Sequence, residues 1–219
     1  MSPTGARSRP SSERKSVASR RLESSARRDA LLDAAVALVR SKGVQGVSME
    51  VVAEHAGVSR PLVYKHFANR DELLAAAYRR QASQLHQDLA SEVAAATNVE
   101  EMYRALLEGS MRATAERGQI LAALRAASGW NRDIRREQRS RDRDTVRAFA
   151  AVAARQYGLE RRRSTSVTAV LLGALDAVLA QWRLDRTEES RAILVETYLA
   201  MVVGAYSVQS AELSGSTAS

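Results

Sequence analysis

Within the stretch Ser48–Phe67, SMEVVAEHAGVSRPLVYKHF, Arg60, Leu62, Tyr64, Lys65 and His66 crowd side chains that can read or grip a nucleic acid. A guanidinium pairs bidentately with guanine edges, and tyrosine, lysine and histidine can hold phosphate oxygens. The types are informative because Val63 and Phe67 lie four apart, so a helix through them turns one apolar face inward and leaves the other five outward. Ser59 stands where it can cap that helix, and Pro61 falls in its first turn, where a missing N–H costs nothing.

The residues just before supply a second helix and a tight turn. Ser48 can cap a short helix carrying Val51, Val52 and the small Ala53. Gly57 can take the positive φ that the turn requires, and Val58 then points back inward. Two helices on so short a turn, the second with a polar outer face, are the plan that places a helix in the major groove. Asn69-Arg70-Asp71-Glu72 reads as a capping box opening the next helix, and Arg70 adds a cation there.

Other constellations are weaker. His55, His66 and His86 have no metal-ligand spacing with one another, and no phosphate loop or nucleophile elbow is legible. The sequence therefore points to no enzyme, no metal and no cofactor. His55 and His86 are expected at the surface. The arginine run from Arg132 to Arg147 is interleaved with Asp133, Glu137, Asp142 and Asp144, as on a solvated, salt-bridged helix face. Arg161-Arg162-Arg163 is expected at a helix start.

Charge is concentrated where the motif lies. Of a net charge of +8, residues 1–70 carry +7, the footprint of a segment that docks on polyphosphate. The 219 residues contain no cysteine, which excludes disulfides and is compatible with a reducing cytoplasm. No apolar run reaches the roughly 18–20 residues that span a bilayer, so no membrane partner is expected.

These residues need a scaffold, and its pattern is helical throughout. Residues 1–26, rich in Ser, Arg and Pro, are expected to form a disordered basic arm, with order beginning near Arg27. Leu31, Ala34, Ala35 and Leu38 mark one face of a first helix that Gly43 ends. No proline follows Leu62, strand-like alternation is absent, and Gly118, Gly129 and Gly158 are expected helix ends. Gly109, Gly173 and Gly204 fall inside periodic segments, where they permit close packing or cost stability. Two long helices close the chain. Val167 to Trp182 keeps a helical repeat, and a helix from Glu188 to Val208 is apolar on two faces. Two such faces imply burial both in its own core and against a second subunit, with Leu199 and Val202 expected on the intersubunit side.

The stretch from Arg27 to Tyr78, RRDALLDAAVALVRSKGVQGVSMEVVAEHAGVSRPLVYKHFANRDELLAAAY, resembles the TetR-like regulators. The resemblance implies an all-α chain, with a three-helix helix-turn-helix head and a body of about six helices. It divides the chain into residues 27–75 for the head, 76–212 for ligand binding and dimerisation, and a disordered tail at 213–219. It further implies a homodimer bound to a double-stranded operator and released by a small-molecule effector, with repression the default. Ser48, Tyr64, His66 and Arg70 would hold phosphates, while the helix from Arg60 to Lys65, with Ser59, Pro61 and Leu62, reads bases. The layout places Tyr103, Met111, Trp130, Phe149 and Trp182 around a ligand cavity, although core packing suits each ring as well. Asp176, among apolar residues, is a candidate polar anchor for ligand. The competing reading is an all-helical ligand carrier or enzyme whose basic N-terminus is incidental.

Overall fold

The structure, a computed structural model, describes residues 11–127 and 132–216, with side chains over 23–127 and 134–211. Eight α-helices follow one another among these residues: α1 (Ser11–Lys42), α2 (Met49–His55), α3 (Arg60–His66), α4 (Arg70–Ala94), α5 (Val99–Ala127), α6 (Arg132–Tyr157), α7 (Arg161–Leu184) and α8 (Glu188–Ser216). A single 3-10 turn, Val44–Gly46, joins α1 to α2. The all-α architecture with an N-terminal helix-turn-helix is as the sequence implies.

The chain divides into two compact units. The first holds α1 through the start of α4 at Tyr78, together with the end of α5 from Ala122. Its core includes the expected stripe: Leu31, Ala34, Ala35 and Leu38 are all buried, as are Val52, Val63, Phe67 and Leu73 of the same unit. Gly43 and Gly57 adopt φ of 69° and 66°, the left-handed turns that end α1 and link α2 to α3. A side chain at either position would be strained even though the space beside it is open.

Helix α1 begins at Ser11, well before Arg27, where order was expected to start. Between Pro10 and Gly43 there is no helix breaker, so a helix nucleated on the buried Leu31–Leu38 stripe can propagate towards the N-terminus at little cost per residue. At the other end α8 reaches Ser216, into the segment expected to be a disordered tail.

The second unit is a helical body whose core joins α5, α6, α7 and α8 through Tyr103, Leu107, Phe149, Leu171, Trp182, Tyr198 and Val202. Its helix starts are chemically explicit. Asn98 Oδ1 accepts from the Glu101 N–H at 2.9 Å while Glu101 Oε2 accepts from the Thr97 N–H at 2.8 Å, a reciprocal cap for α5. Gly158, at φ 66°, ends α6 as expected. Gly118 does not end a helix: α5 runs through it, and among the described residues α4 to α8 make five helices where about six were implied. Gly129 lies outside the described residues. Gly109 marks a close crossing, since a Cβ there would sit 2.5 Å from Leu89 Cδ2 on α4. Arg112–Glu92 and Arg117–Asp88 pairs, at 2.6 and 3.2 Å, flank that crossing.

Helix α8 has two apolar faces, but the residues divide differently from the expectation. Val195, Tyr198, Leu199, Val202 and Tyr206 are all buried within the subunit. Ile193, Met201 and Val208 point outward, as does Val170 on α7, which is 73% exposed. Leu199 and Val202 are therefore core residues of one chain. The inward face follows the aromatic cluster, which needs Leu199 and Val202 beside Tyr198 and Tyr206. Against expectation, α7 and α8 are long and apolar enough for a bilayer by length and composition, even with Asp176 and Glu196 inside them. Only 22% and 28% of those windows are buried inside the subunit.

Candidate nucleic-acid interface and effector cavity

The head positions its outward residues by fixing both ends of two short helices. Ser48 Oγ accepts from the Val51 N–H at 3.2 Å and starts α2. Its hydroxyl proton remains able to reach a phosphate. Ser59 occupies the same position before α3 but makes no capping bond, contrary to expectation, so its exposed hydroxyl is uncommitted by the helix. Pro61 lies in the first turn of α3, and Val63 and Phe67 are buried beneath it. That burial turns Arg60, Tyr64 and Lys65 to solvent, with Leu62 and His66 half-buried at the edges. Tyr64 is 49% exposed, a large ring left outside with no core to join.

Two arginines fasten this surface. Arg28 of α1 donates through Nη1 to the His66 carbonyl at 3.1 Å, and its guanidinium lies 4.3 Å from the centre of the Phe67 ring. A cation at the C-terminus of α3 also suits the helix dipole. Arg70, expected to hold a phosphate, spends Nε and Nη2 on the carbonyls of Val47 and Val44, at 2.7 and 2.8 Å. The bend after α1 brings those carbonyls within reach of the start of α4, which sequence spacing does not reveal. Asn69 and Glu72 cap α4 as expected, through the Glu72 N–H and the Ala68 N–H at 2.9 and 2.7 Å. Arg60, the expected base reader, is ion-paired with Glu50 of α2. His66 is held below its ordinary pKa first by burial, then by the charges of Arg28, Lys65 and Arg27.

Residues 31–77 match the family described as bacterial regulatory proteins, tetR family. Over these residues the head is similar to the TetR family. The regulator BetI of Rhizobium meliloti (strain 1021) is 34% identical over 97 residues, 44% of this chain and 48% of that one. The nicotine-responsive repressor HdnoR of Paenarthrobacter nicotinovorans is 35% identical over 80 residues, 36% and 39% of the two chains. The chain thus spans about half or less of the length of these curated relatives. A TetR/AcrR-family regulator from Thermobifida fusca YX-ER1 covers 80% of this chain and 96% of its own, with a TM-score of 0.62 at 22% identity. FadR of Bacillus subtilis, solved in complex with stearoyl-CoA, covers 80% and 97% with a TM-score of 0.56 at 15% identity. At such identities the solved structures show the TetR-like fold alone.

Within the body, a cavity of about 410 Å³ opens between α4, α5 and α6. Leu89, Val93, Met102, Leu106, Phe149 and Val152 make most of it apolar, while His86, Asp144 and Thr145 supply polar groups. Of the six candidate ligand residues, Phe149 alone among the described ones lines it, and Trp182 is buried in the body core. Tyr103 and Met111 are fully buried core. Trp130 lies outside the described residues. Asp176 is exposed, because the inward face of α7 follows Thr168, Leu171 and Leu179, and Asp176 falls outside that row. His86, expected at the surface, is half-buried on the cavity side of α4. Its spacing to Leu89 and Val93, three and seven, was a readable signal.

Behind Phe149 lies a cluster of hydroxyls. Tyr103 meets Phe149 edge-on at 4.9 Å, and its hydroxyl is 3.0 Å from that of Tyr206, which is 2.7 Å from Thr168 Oγ1. Tyr198 donates to the Leu171 carbonyl at 2.8 Å. Burial pushes all three phenols above their ordinary range, so the cluster is a neutral, satisfied core network.

Proposed function

We propose that the chain is a homodimeric transcriptional repressor that leaves a near-palindromic operator when a small, mainly apolar effector enters the α4–α5–α6 cavity. The observation that carries this reading is the outward set on α3, Arg60, Tyr64 and Lys65, held by buried Val63 and Phe67 inside a TetR-like head. Arg60 and Leu62 read bases in the major groove; Ser48, Tyr64, Lys65 and His66 grip flanking phosphates. The apolar outward faces of α7 and α8 support self-association into a four-helix bundle, which would present two heads to one duplex. Soluble cytoplasmic location goes with that role.

The cavity's volume falls in the range of small-molecule sites, and its lining suits an apolar body with one hydrogen-bonding end near His86, Asp144 or Thr145. The nicotine-responsive relative and the FadR neighbour with stearoyl-CoA show that proteins similar to this one take small molecules. Ligand differentially favouring one spacing of the two heads would shift the dimer away from the operator-bound state. The test is a gel shift on fragments flanking the gene, followed by apolar ligands added to the bound complex. Binding to a single fragment, competed by itself and not by random duplex, is the expected result; failure to bind any duplex sinks the reading.

A further inference from the structure

The head contains a second recess that the outward face of α3 does not account for. A notch of about 200 Å³ lies between α1 and α3, bordered by Glu23, Ser24 and Arg27 on one side and Leu62, Lys65 and His66 on the other. Glu23, Ser24 and Arg27 precede the family match, which begins at residue 31. They are available because α1 extends beyond its buried stripe, and one side of that extension, 23, 24 and 27, faces the last turn of α3.

We infer that this notch seats a backbone phosphate of duplex DNA, with Arg27 of α1 and Lys65 of α3 closing on it from opposite helices. The inference rests on the head being a DNA-binding domain. Arg27 and Lys65 are exposed and make no ion pair among the described residues, so neither cation must leave a partner to bind. Arg28, next in the chain, ties the His66 carbonyl and the Phe67 ring to α1, which fixes the spacing of the two walls. His66, which borders the notch, is held below its ordinary pKa first by burial and then by the charges of Arg28, Lys65 and Arg27. Glu23 is the one acid among the described residues on the border, and it opposes an anion. Ser24 adds a hydroxyl donor. A phosphodiester suits the notch better than free phosphate. Lys65 and Leu62 belong to the reading helix itself, so a phosphate seated here flanks the groove that Arg60 and Tyr64 enter.

The experiment uses the full chain and a duplex that it binds, with binding measured by fluorescence anisotropy across a salt series. Arg27→Ala should reduce the slope of log affinity against log salt by about 1 for each head engaged. Arg27→Lys should restore most of it. Glu23→Gln should tighten binding to specific and random duplexes alike, leaving base preference unchanged. Helicity by circular dichroism checks each variant. Inorganic phosphate forms the second arm, followed through the Lys65 and His66 resonances. Saturation at millimolar phosphate with an unchanged duplex slope for Arg27→Ala would reassign the notch to a free anion and overturn the inference. An unchanged slope while wild-type protein binds its duplex also overturns it, yet leaves the regulator reading standing. A wild-type chain that binds no duplex removes both.

Discussion

Arg70 Nε donates to the carbonyl of Val47 at 2.7 Å, tying the first residue of α4 to the bend that precedes α2. With Nη2 on the Val44 carbonyl, which also accepts the Val47 N–H at 3.1 Å, two donors of one rigid fork fasten the bend. The residue is one-third exposed, and its nearest carboxylate, on Asp71, lies 3.7 Å away. Arg70→Ala should therefore lower the stability of the head by about 1–3 kcal/mol, and Arg70→Lys should rescue little, since an ammonium cannot copy the fork. Thermal unfolding with and without the substitution checks this. The salt dependence of DNA binding should change less than for Lys65→Ala; an equal drop in slope would return Arg70 to phosphate binding.

Arg60 pairs with Glu50 in the free protein, and both side chains are well exposed. Such a pair stabilises the fold by little. Its larger effect is on recognition, because Arg60 must leave Glu50 to reach a base edge. Arg60→Ala should cost about 1–3 kcal/mol on the specific operator and relax base preference at one position per half-site. Glu50→Gln should strengthen duplex binding. Equal losses on operator and random DNA for Arg60→Ala would make Arg60 a phosphate contact only.

The outward face of α8 supplies the dimer test. Met201→Glu places a charge on an exposed apolar face and should give a folded monomer, by light scattering and circular dichroism, with weakened operator affinity. Val202→Glu, one residue away, buries the charge in the subunit core and should instead unfold the body. Identical behaviour of the two variants would contradict the division of faces.

Filling the α4–α5–α6 cavity should separate sensing from binding. Ala148 lines it, and Ala148→Phe adds bulk there without touching the head. Operator affinity should persist while release by an apolar ligand is lost. Retained release would place the effector elsewhere.

The buried phenols set an alkaline limit. Tyr103, Tyr198 and Tyr206 have folded pKa values raised above the unfolded one near 10. Keeping them neutral thus contributes stability that is complete below about pH 10 and declines as pH rises beyond it. Absorbance at 295 nm should show these three of the six tyrosines ionising only as helicity is lost. Full titration of all six in folded protein would refute the closed network.

Much of the head was legible because its signals are local. Ser48, Gly57, Pro61, Val63 and Phe67 each specify a cap, a turn or a face within a few residues, and the structure places all of them in those roles. Ser59 departs because a helix can start on Pro61 geometry without a side-chain cap. Arg70 departs because its partners lie 23 and 26 residues away. In the body, helix phase was readable and helix neighbours were not. Nothing in the local pattern of Asp176 says that its side of α7 is the outer one, or that His86 of α4 sits beside Asp144 and Phe149 of α6. The cavity is a product of tertiary packing, and Phe149 was found only because large rings are few.

The outward apolar residues of α7 and α8 carry a consequence for abundance. Val170, Ile193, Met201 and Val208 leave one subunit with surface that only association removes from water. The proposed dimer would draw part of its stability from mass action, so its melting temperature would rise with its own concentration. At low copy number the heads would dissociate and lose the operator before any effector arrives. Gene dosage and effector level would then act on the same equilibrium, and doubling expression would raise the amount of effector needed for release.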